Sequence, residues 1–578
     1  MYTLGINAAF HDCAAALVKD GVVVAAAEEE RFSRVKHGKR PVPFSTWQLP
    51  YNAIDYCLAQ AGCELRDMDH IAYSFDPELL KPELAPQGSL TLPLEPSAQA
   101  SAQAGRSPWD PLFLSYICNA PRQLAHGAPH HLQQRFASDT REHIMQRWQF
   151  VEHHLAHEAS AFLASPFEEA AVLTMDGRGE RASTSYGHFA QGRYDRLKQI
   201  NLPHSLGLLY EDVTRYLGFL HSSDEYKVMA LASYGRPAYV DEFRQILSMD
   251  ENGGYVLAPA ELERRFGPPR GRGEVFADRH MDIAHSLQQV LEETVLAMSR
   301  WLHDATQSDH LCMAGGVALN CVMNAKLANE SPFRHVWVQP AAGDAGTALG
   351  AALWMDFHAR ETGRRAWVMD HAYLGPSYGN DEIEAFMQRS GIRYRRMRDA
   401  AGEVADLLAQ EKVLGWFQGR MEFGPRALGA RSILASPRDA VMQGRLNELK
   451  DREDFRPVAP VVMEERAHEW FDARGREGIR APFMLFVYDV LPDKADEIPA
   501  VRHTDGTARV QTVNRVQHPL LYDLLQAFEA RTGVPVLVNT SFNTRGEPVV
   551  CSPRDALECF WTSPLDALAI GDFLVEKP

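Results

Sequence analysis

The first thirty residues alternate short apolar runs with polar breaks. Tyr2 to Ala8, Cys13 to Val18 and Val22 to Ala27 are each long enough for one strand. Lys19-Asp20-Gly21 reads as a tight turn between the last two, and Ala9-Phe10-His11-Asp12 as a polar loop at the first bend. Farther on, Val172-Leu173-Thr174-Met175 predicts a strand that ends at Asp176-Gly177. A long helix is predicted around Ile283 to His303, followed by a strand at His310 to Met313 that breaks at Gly315-Gly316. The pattern changes after about residue 360: 361–376 reads as a linker, and the chain restarts with its own signals, including a strand run from Val413 to Phe417. Residues 77–110, rich in Pro, Ala, Gln and Ser, predict a surface insertion.

Composition narrows the class. A chain of 578 residues predicts two or three domains with ample core. Apolar residues make up 45% and charged residues 23%, as in soluble globular proteins. Lys and Arg number 59 against 76 Asp and Glu, a formal net charge of −17, so the surface as a whole repels nucleic acid and anionic membranes. No window reads as a membrane span, and the start lacks the basic and apolar regions of a signal peptide. The eight cysteines are scattered without a C-x-x-C pair and read as reduced thiols of a cytoplasmic protein.

Candidate chemistry begins at Glu152-His153-His154-Leu155-Ala156-His157. On a helix His153 and His157 leave the same face and can share one cation. Asp176 at a strand end and Asp344, in the glycine-flanked turn Gly343-Asp344-Ala345-Gly346, can close the site. Two imidazoles and one or two carboxylates suit Fe, Zn or Mn better than Ca or Mg. A histidine pair alone is as well explained by a polar helix start; the two aspartates favour the metal. Three opening strands with a polar loop at the first bend are the layout of actin-like nucleotide-binding folds, which puts His11 where chemistry is done. A solvated turn histidine stays open beside that reading. Lys36, in the basic stretch Arg31 to His37, is a candidate phosphate contact. The later loops carry Arg420, Arg426, Arg431, Lys450, Arg456 and Arg509, with Asn539 and Ser541 just past an apolar strand. Such a set suits a phosphate or triphosphate pocket, with surface ion pairing as the plainer alternative.

Several phrases stand together in order: Asn7…His11-Asp12, Glu28-Glu29-Glu30-Arg31-Phe32, His153-His154-Leu155-Ala156-His157, Gly315-Gly316-Val317-Ala318-Leu319-Asn320, Gly424-Pro425-Arg426-Ala427-Leu428-Gly429, Phe455-Arg456-Pro457-Val458-Ala459-Pro460 and Asn539-Thr540-Ser541-Phe542-Asn543. In this combination the chain resembles the O-carbamoyltransferases of antibiotic and nodulation-factor biosynthesis. The resemblance implies an α/β protein with a duplicated actin-like domain over residues 1–360, like the tRNA threonylcarbamoyl-transfer enzymes, and a YrdC-like α/β domain over 377–578. It implies a two-step reaction: the C-terminal domain makes carbamoyladenylate from carbamoyl phosphate and ATP, and the N-terminal domain passes the carbamoyl group to a small-molecule hydroxyl. By matching position, His153, His157, Asp176 and Asp344 would hold Fe(II) or another divalent metal, with Mg accompanying ATP. Lys36, Gly316 and Asn320 would touch the adenylate, and His11 would act on the acceptor hydroxyl. Lys450, Arg456, Arg509, Asn539 and Ser541 would hold carbamoyl phosphate, with Arg426 near the triphosphate. The partners implied are a natural-product alcohol and a second copy of the chain in a homodimer, with no nucleic acid or membrane. Two other readings remain: carbamoyl-type transfer to tRNA, which the net charge of −17 disfavours, and an actin-like ATP-binding sensor, which has no use for a metal tetrad.

Overall fold

The computed structural model describes residues 1–38, 49–80, 110–126, 140–475 and 478–577. The 77–110 insertion expected above falls largely outside them; its described ends are the short helix Pro77–Leu80 and the first residue of the helix Asp110–His126. The chain divides into two units, 1–369 and 370–578.

The first unit is built from one topology used twice. The strands β1 (Tyr2–Asn7), β2 (Ala14–Lys19), β3 (Val22–Glu28), β4 (His70–Tyr73) and β5 (Trp148–Phe150) form a sheet in the order β3-β2-β1-β4-β5. β1, β2 and β3 run antiparallel, as their short turns dictate, while β4 and β5 join β1 in parallel. The strands β6 (Ala170–Met175), β7 (Ala182–Ala190) and β8 (Arg193–Asn201) repeat the antiparallel half. A small hairpin of β9 (Leu247–Met249) and β10 (Tyr255–Leu257) intervenes. β11 (His310–Ala314) and β12 (His335–Val338) then complete the second sheet in the order β12-β11-β6-β7-β8. Read outward from its first strand, each sheet has the same neighbours with the same directions. This duplication is the actin-like architecture expected from the opening strands.

The repeat extends to the helices. After β5 the chain enters the helix His153–Phe162, and after β12 it enters the helix Ala345–Ala359. The second of these is Ala- and Gly-rich and buried over most of its length, so it approaches its neighbours at backbone distance. A Cβ on Gly350 would lie 1.8 Å from the Ala156 carbonyl oxygen, and one on Gly5 of β1 would lie 1.9 Å from that of Ala348. The two helices therefore fix each other's height, and with it the height of the residues at their N-terminal ends.

The second unit carries a mixed sheet of eight strands, in keeping with the α/β character expected of it. In chain order these are β13 (Arg395–Arg396), β14 (Leu414–Phe417), β15 (Arg431–Ala435), β16 (Ala459–Met463), β19 (Gln511–Val513), β20 (Val536–Ser541), β21 (Ala567–Ile570) and β22 (Phe573–Glu576). A separate pair, β17 (Val487–Asp489) with β18 (Thr507–Arg509), lies between β16 and β19 in the chain. The sheet order is β13-β22-β21-β14-β15-β20-β16-β19. Its strands β14, β15, β16 and β21 are buried along their whole length, the pattern of a sheet covered on both faces.

Replacing Gly350 by Ala inserts a methyl where only backbone oxygen fits. Gly350→Ala is expected to lower stability by about 1–3 kcal/mol and to weaken metal uptake, because the histidine helix has to shift. Urea unfolding and metal titration of the purified variant check both.

Candidate metal centre and surrounding site

The duplication delivers the site. Residues following β1, β4, β5, β6, β11 and β12 all lie just past the carboxyl ends of strands, where α/β sheets bind ligands. The bend after β1 carries His11 and the corresponding bend after β6 carries Asp176. His153 and His157 stand on the helix after β5, and Asp344 immediately precedes its counterpart after β12.

His153, His157, Asp176 and Asp344 converge, with one donor atom from each lying within 4.8 Å of the others. His153 Nε2 is 3.6 Å from Asp176 Oδ2 and 3.5 Å from Asp344 Oδ1; His157 Nε2 is 3.9 and 3.6 Å from the same oxygens. Two ligands bonded at ~2.1 Å to a tetrahedral ion stand ~3.4 Å apart, so the spacing fits a shared cation. Both histidines are fully buried, and Asp344 is 1% exposed. His153 Nε2, both ring nitrogens of His157 and Asp344 Oδ1 are buried without a hydrogen-bond partner among the described residues. Leaving that many polar atoms unpaired is costly unless an ion satisfies them.

Electrostatics point the same way. Burial by itself pushes the His153 pKa down, yet Asp344 and Asp176 carry it well above the ordinary imidazole value. Burial and the nearby Asp176 push Asp344 up, but His11 and His153 hold it at about 2. Asp176 is likewise lowered: burial opposes, and the three neighbouring histidines prevail. A divalent cation can take the place of the proton on His153 and neutralise the paired carboxylates. Two nitrogens and two carboxylates suit a first-row divalent metal better than Ca or Mg, which prefer all-oxygen shells.

The shell behind the ligands is dense. His153 Nδ1 lies 3.2 Å from the Ser74 carbonyl, which sets the ring so that Nε2 faces the aspartates. Ser74 Oγ donates to Asn7 Oδ1 (3.1 Å) and accepts from Thr347 Oγ1 (2.8 Å), tying together β1, the residue just past β4 and the second helix. Asp176 Oδ1 accepts the Gly316 N–H at 2.8 Å. Glu152, the residue before the histidine helix, makes no side-chain cap. Glu180 does that work from a distance: its carboxylate accepts the N–H groups of His153 (2.9 Å) and Asp76 (2.6 Å).

The other residues singled out in the sequence divide into two groups. In the first unit, His11 turns Nε2 toward Asp344 Oδ2 at 3.8 Å but lies outside the four-ligand cluster. Lys36 begins the short turn Lys36–Gly38. Gly316 touches Asp176, while Asn320 caps the helix Cys321–Glu330 through Met323 N–H (3.0 Å) and donates to Gln288 (2.8 Å). In the second unit, Asn539 and Ser541 share β20. Lys450 is buried and its ammonium donates to Ser541 Oγ (3.1 Å) and to the carbonyl and Oδ1 of Asn543 (3.0 and 2.7 Å). Asn539 donates to the Ala427 carbonyl (3.1 Å), next to Arg426, and to Gln511 (2.6 Å); its Oδ1 is buried without a hydrogen-bond partner among the described residues. Arg509 ends β18 two residues before Gln511, and Arg456 lies 3.7 Å from Glu453. Arg431 is scaffold: fully buried, it stacks 3.6 Å over Phe417 and donates to the carbonyls of Gln418, Gly419 and Pro376. Arg420 likewise donates to the carbonyls of Leu374 and Gly375. Sequence reading gave no role to Glu180, Ser74 or His37, and none to Asp12 beyond its place beside His11. Glu180 lies far from the helix it caps, so no local pattern marks it.

Residues 2–353 match the family model described as carbamoyltransferase N-terminus, and residues 405–577 match carbamoyltransferase C-terminus. The chain is 40% identical to nodulation protein NolNO of Sinorhizobium fredii, over 99% of this chain and 80% of that protein. It is 43% identical to nodulation protein NolO of Bradyrhizobium diazoefficiens, over 74% of this chain and 79% of that one. An uncharacterized protein of Synechocystis sp. is 40% identical over 100% of this chain and 97% of its own length. Among solved structures, HypF of T. kodakarensis aligns with a TM-score of 0.37 and 11% identity, over 62% of this chain and 48% of that one. Component A of the Acidaminococcus fermentans (R)-2-hydroxyglutaryl-CoA dehydratase aligns at 0.34 and 15%, over 62% and 100%.

Two expectations follow from the geometry. Purified protein is expected to carry close to one divalent first-row metal per chain, and His157→Ala or Asp344→Asn to lose it with at least a tenfold fall in affinity; elemental analysis and competition with a chelator measure this. The second concerns Glu180, whose carboxyl burial raises to about 7 against the pull of His153 and the backbone donors. An acid with a folded value above its unfolded one favours folding at low pH, and that contribution fades as pH climbs from about 4.5 through 7. Glu180→Gln keeps a neutral acceptor at the helix start. The urea midpoint of metal-free wild type should therefore fall between about pH 5 and pH 8 by more than that of the variant, a differential of up to about 3 kcal/mol.

Proposed function

The chain belongs to the carbamoyltransferase family, and we propose that it is an ATP-dependent O-carbamoyltransferase that modifies a hydroxyl of a small-molecule natural product. The reaction divides between the two units. In the second, carbamoyl phosphate loses inorganic phosphate, and the carbamate oxygen attacks the α-phosphorus of ATP, giving carbamoyladenylate and pyrophosphate. In the first, the acceptor oxygen bonds to the carbamoyl carbon, the bond from that carbon to the adenylate oxygen breaks, and AMP leaves. The observation that carries the reading is the buried His153, His157, Asp176, Asp344 cluster with His11 turned toward it, inside the stretch matched by the N-terminal family model.

An alcohol is a weak nucleophile at neutral pH, so an imidazole that receives its proton is needed, and His11 is assigned that role. Lys36, Gly316 and Asn320 are assigned to the adenylate, and the Gly316 N–H donates to Asp176 Oδ1, which supports a nucleotide beside the four-residue cluster. A divalent ion, iron in this proposal, supplies Lewis acidity and charge neutralisation at the adenylate phosphate when bound. Arg426, Arg456, Arg509, Asn539 and Ser541 are assigned to carbamoyl phosphate and the ATP phosphates, with Lys450 holding the Ser541–Asn543 loop in place. Guanidinium groups in loops suit planar and tetrahedral oxyanions, and the buried unpaired Asn539 Oδ1 suits a ligand N–H donor. A small-molecule acceptor is preferred over tRNA because the net charge is −17, and two nodulation proteins are among the relatives.

The test is mass spectrometry of the protein with ATP, carbamoyl phosphate and Fe(II), without acceptor. Wild type and His11→Asn are expected to form carbamoyladenylate, pyrophosphate and AMP. Arg456→Ala is expected to form at least tenfold less. ADP as the sole nucleotide product would return the protein to the ATPase-like sensors.

A further inference from the structure

The bend after β1 is held by more contacts than a solvated turn needs. Asn7, buried at the end of β1, donates to the carbonyls of His11 (3.0 Å) and Asp12 (3.1 Å). The Asp12 N–H donates to the His37 carbonyl at 3.0 Å. Asp12 and His37 both stand in the left-handed region, with φ of 51° and 59°. Non-glycine residues enter that region at a cost, and such outliers gather at functional sites.

The Asp12 carboxylate is shared between two imidazoles. Its Oδ2 is 2.9 Å from His11 Nδ1, and its Oδ1 is 2.9 Å from His37 Nδ1. Beyond it, His37 Nε2 lies 3.0 Å from Ser223 Oγ, and the His37 N–H donates to the Glu30 carboxylate at 2.7 Å. On the other side His11 Nε2 faces Asp344. The order is Ser223, His37, Asp12, His11, then the metal cluster.

We propose that Asp12 is the positioning residue of the transfer step, fixing His11 with the proton on Nδ1 and the basic Nε2 toward the reacting side, and that His37, anchored by Ser223, fixes Asp12. It rests on the assignment of His11 as the base that receives the acceptor proton. An ionised carboxylate only accepts hydrogen bonds, so an Asp12 contact at 2.9 Å places a proton on Nδ1 of each ring. When the acceptor oxygen bonds to the carbamoyl carbon, its proton passes to His11 Nε2, the departing adenylate keeps the bonding electrons, and Asp12 stabilises the imidazolium. Asp12, Glu30 and His37 also have the composition of a metal site and donor atoms within 4.8 Å of one another. Their atoms are already committed: His37 to Asp12, Glu30 to the His37 N–H and to Arg31 at 3.0 Å. Positioning accounts for them without a cation.

Two measurements on the metal-loaded protein test this. The first is nitrogen NMR of histidine-labelled wild type, with the His11 signal identified by its loss in His11→Asn. His11 is expected as the Nδ1–H tautomer in wild type and to lose that preference in Asp12→Asn. An Nε2–H tautomer in wild type would overturn the proposal. The second compares two nucleophiles toward carbamoyladenylate: water, which needs a base, and hydroxylamine, which attacks without one and gives N-hydroxyurea. The ratio of AMP release by water to N-hydroxyurea formation is expected to fall about 100-fold in Asp12→Asn, less in His37→Gln, and no further in Asp12→Asn combined with His11→Asn. Equal losses with both nucleophiles, or multiplied losses in the double variant, would show that Asp12 acts on the fold and not through His11. Absence of N-hydroxyurea from wild type would instead sink the carbamoyl-transfer assignment, while the tautomer measurement would still decide the role of Asp12.

Discussion

Two imidazoles and two carboxylates have been taken out of water together, and the first unit is arranged around that cost. Each such group buried alone would shift its protonation or drag water in. Together they reach partial compensation, with His153 holding its proton strongly and Asp344 and Asp176 holding theirs weakly. Four donor atoms still lack partners among the described residues. A shared divalent ion satisfies three of them (Nε2 of each histidine and Asp344 Oδ1), whereas a proton satisfies at most two donor atoms at once. The packing that excludes water is what separates this candidate metal site from a set of surface ion pairs.

That packing depends on the duplication. Each half ends its last strand in a helix, one bringing the histidines and the other Asp344, and each half turns after its first strand at a bend that faces the ligands. Helices that meet at Gly350 and Ala156 leave little freedom to slide. Glu180 and Ser74 add restraint by gripping the amide and the ring of His153. Ligand spacing is thus set by backbone contacts, which are stiffer than side-chain contacts.

What could be read in the sequence follows from how local each signal is. The opening strands and their turn are local, and β1 to β3 match the predicted runs within a residue or so. The i, i+4 histidine pair is local, and Asp176 and Asp344 are marked by standing next to glycine past a strand or before a helix. Glu180 is not legible, because it caps a helix that starts 27 residues earlier. His37 is not legible either: a basic loop residue looks solvated until the bend brings it to Asp12, 25 positions away. Cations misled in the opposite direction. The sequence reading counted Arg420 and Arg431 in a loop set suited to a phosphate pocket, beside the plainer alternative of surface ion pairing, whereas folding turns their guanidinium groups to backbone carbonyls and, for Arg431, to the face of Phe417. A count of basic residues near glycine-rich loops cannot separate those that meet a ligand from those that build the loop.

The same distinction reconciles the net charge of −17 with the phosphate ligands proposed for this chain. Net charge acts at long range and is screened within about a Debye length, ~8 Å at physiological salt. What a phosphate meets is decided by donors fixed at hydrogen-bond distance. In the second unit Lys450 is spent on the loop that carries Ser541 and Asn543, so the loop's own hydroxyl and amide groups are held at defined positions. A buried ammonium used this way lends rigidity without adding to the exposed positive charge. On the proposed function, net charge and fixed donors therefore act on different length scales: the first sets the long-range field, and the second selects small anions by geometry.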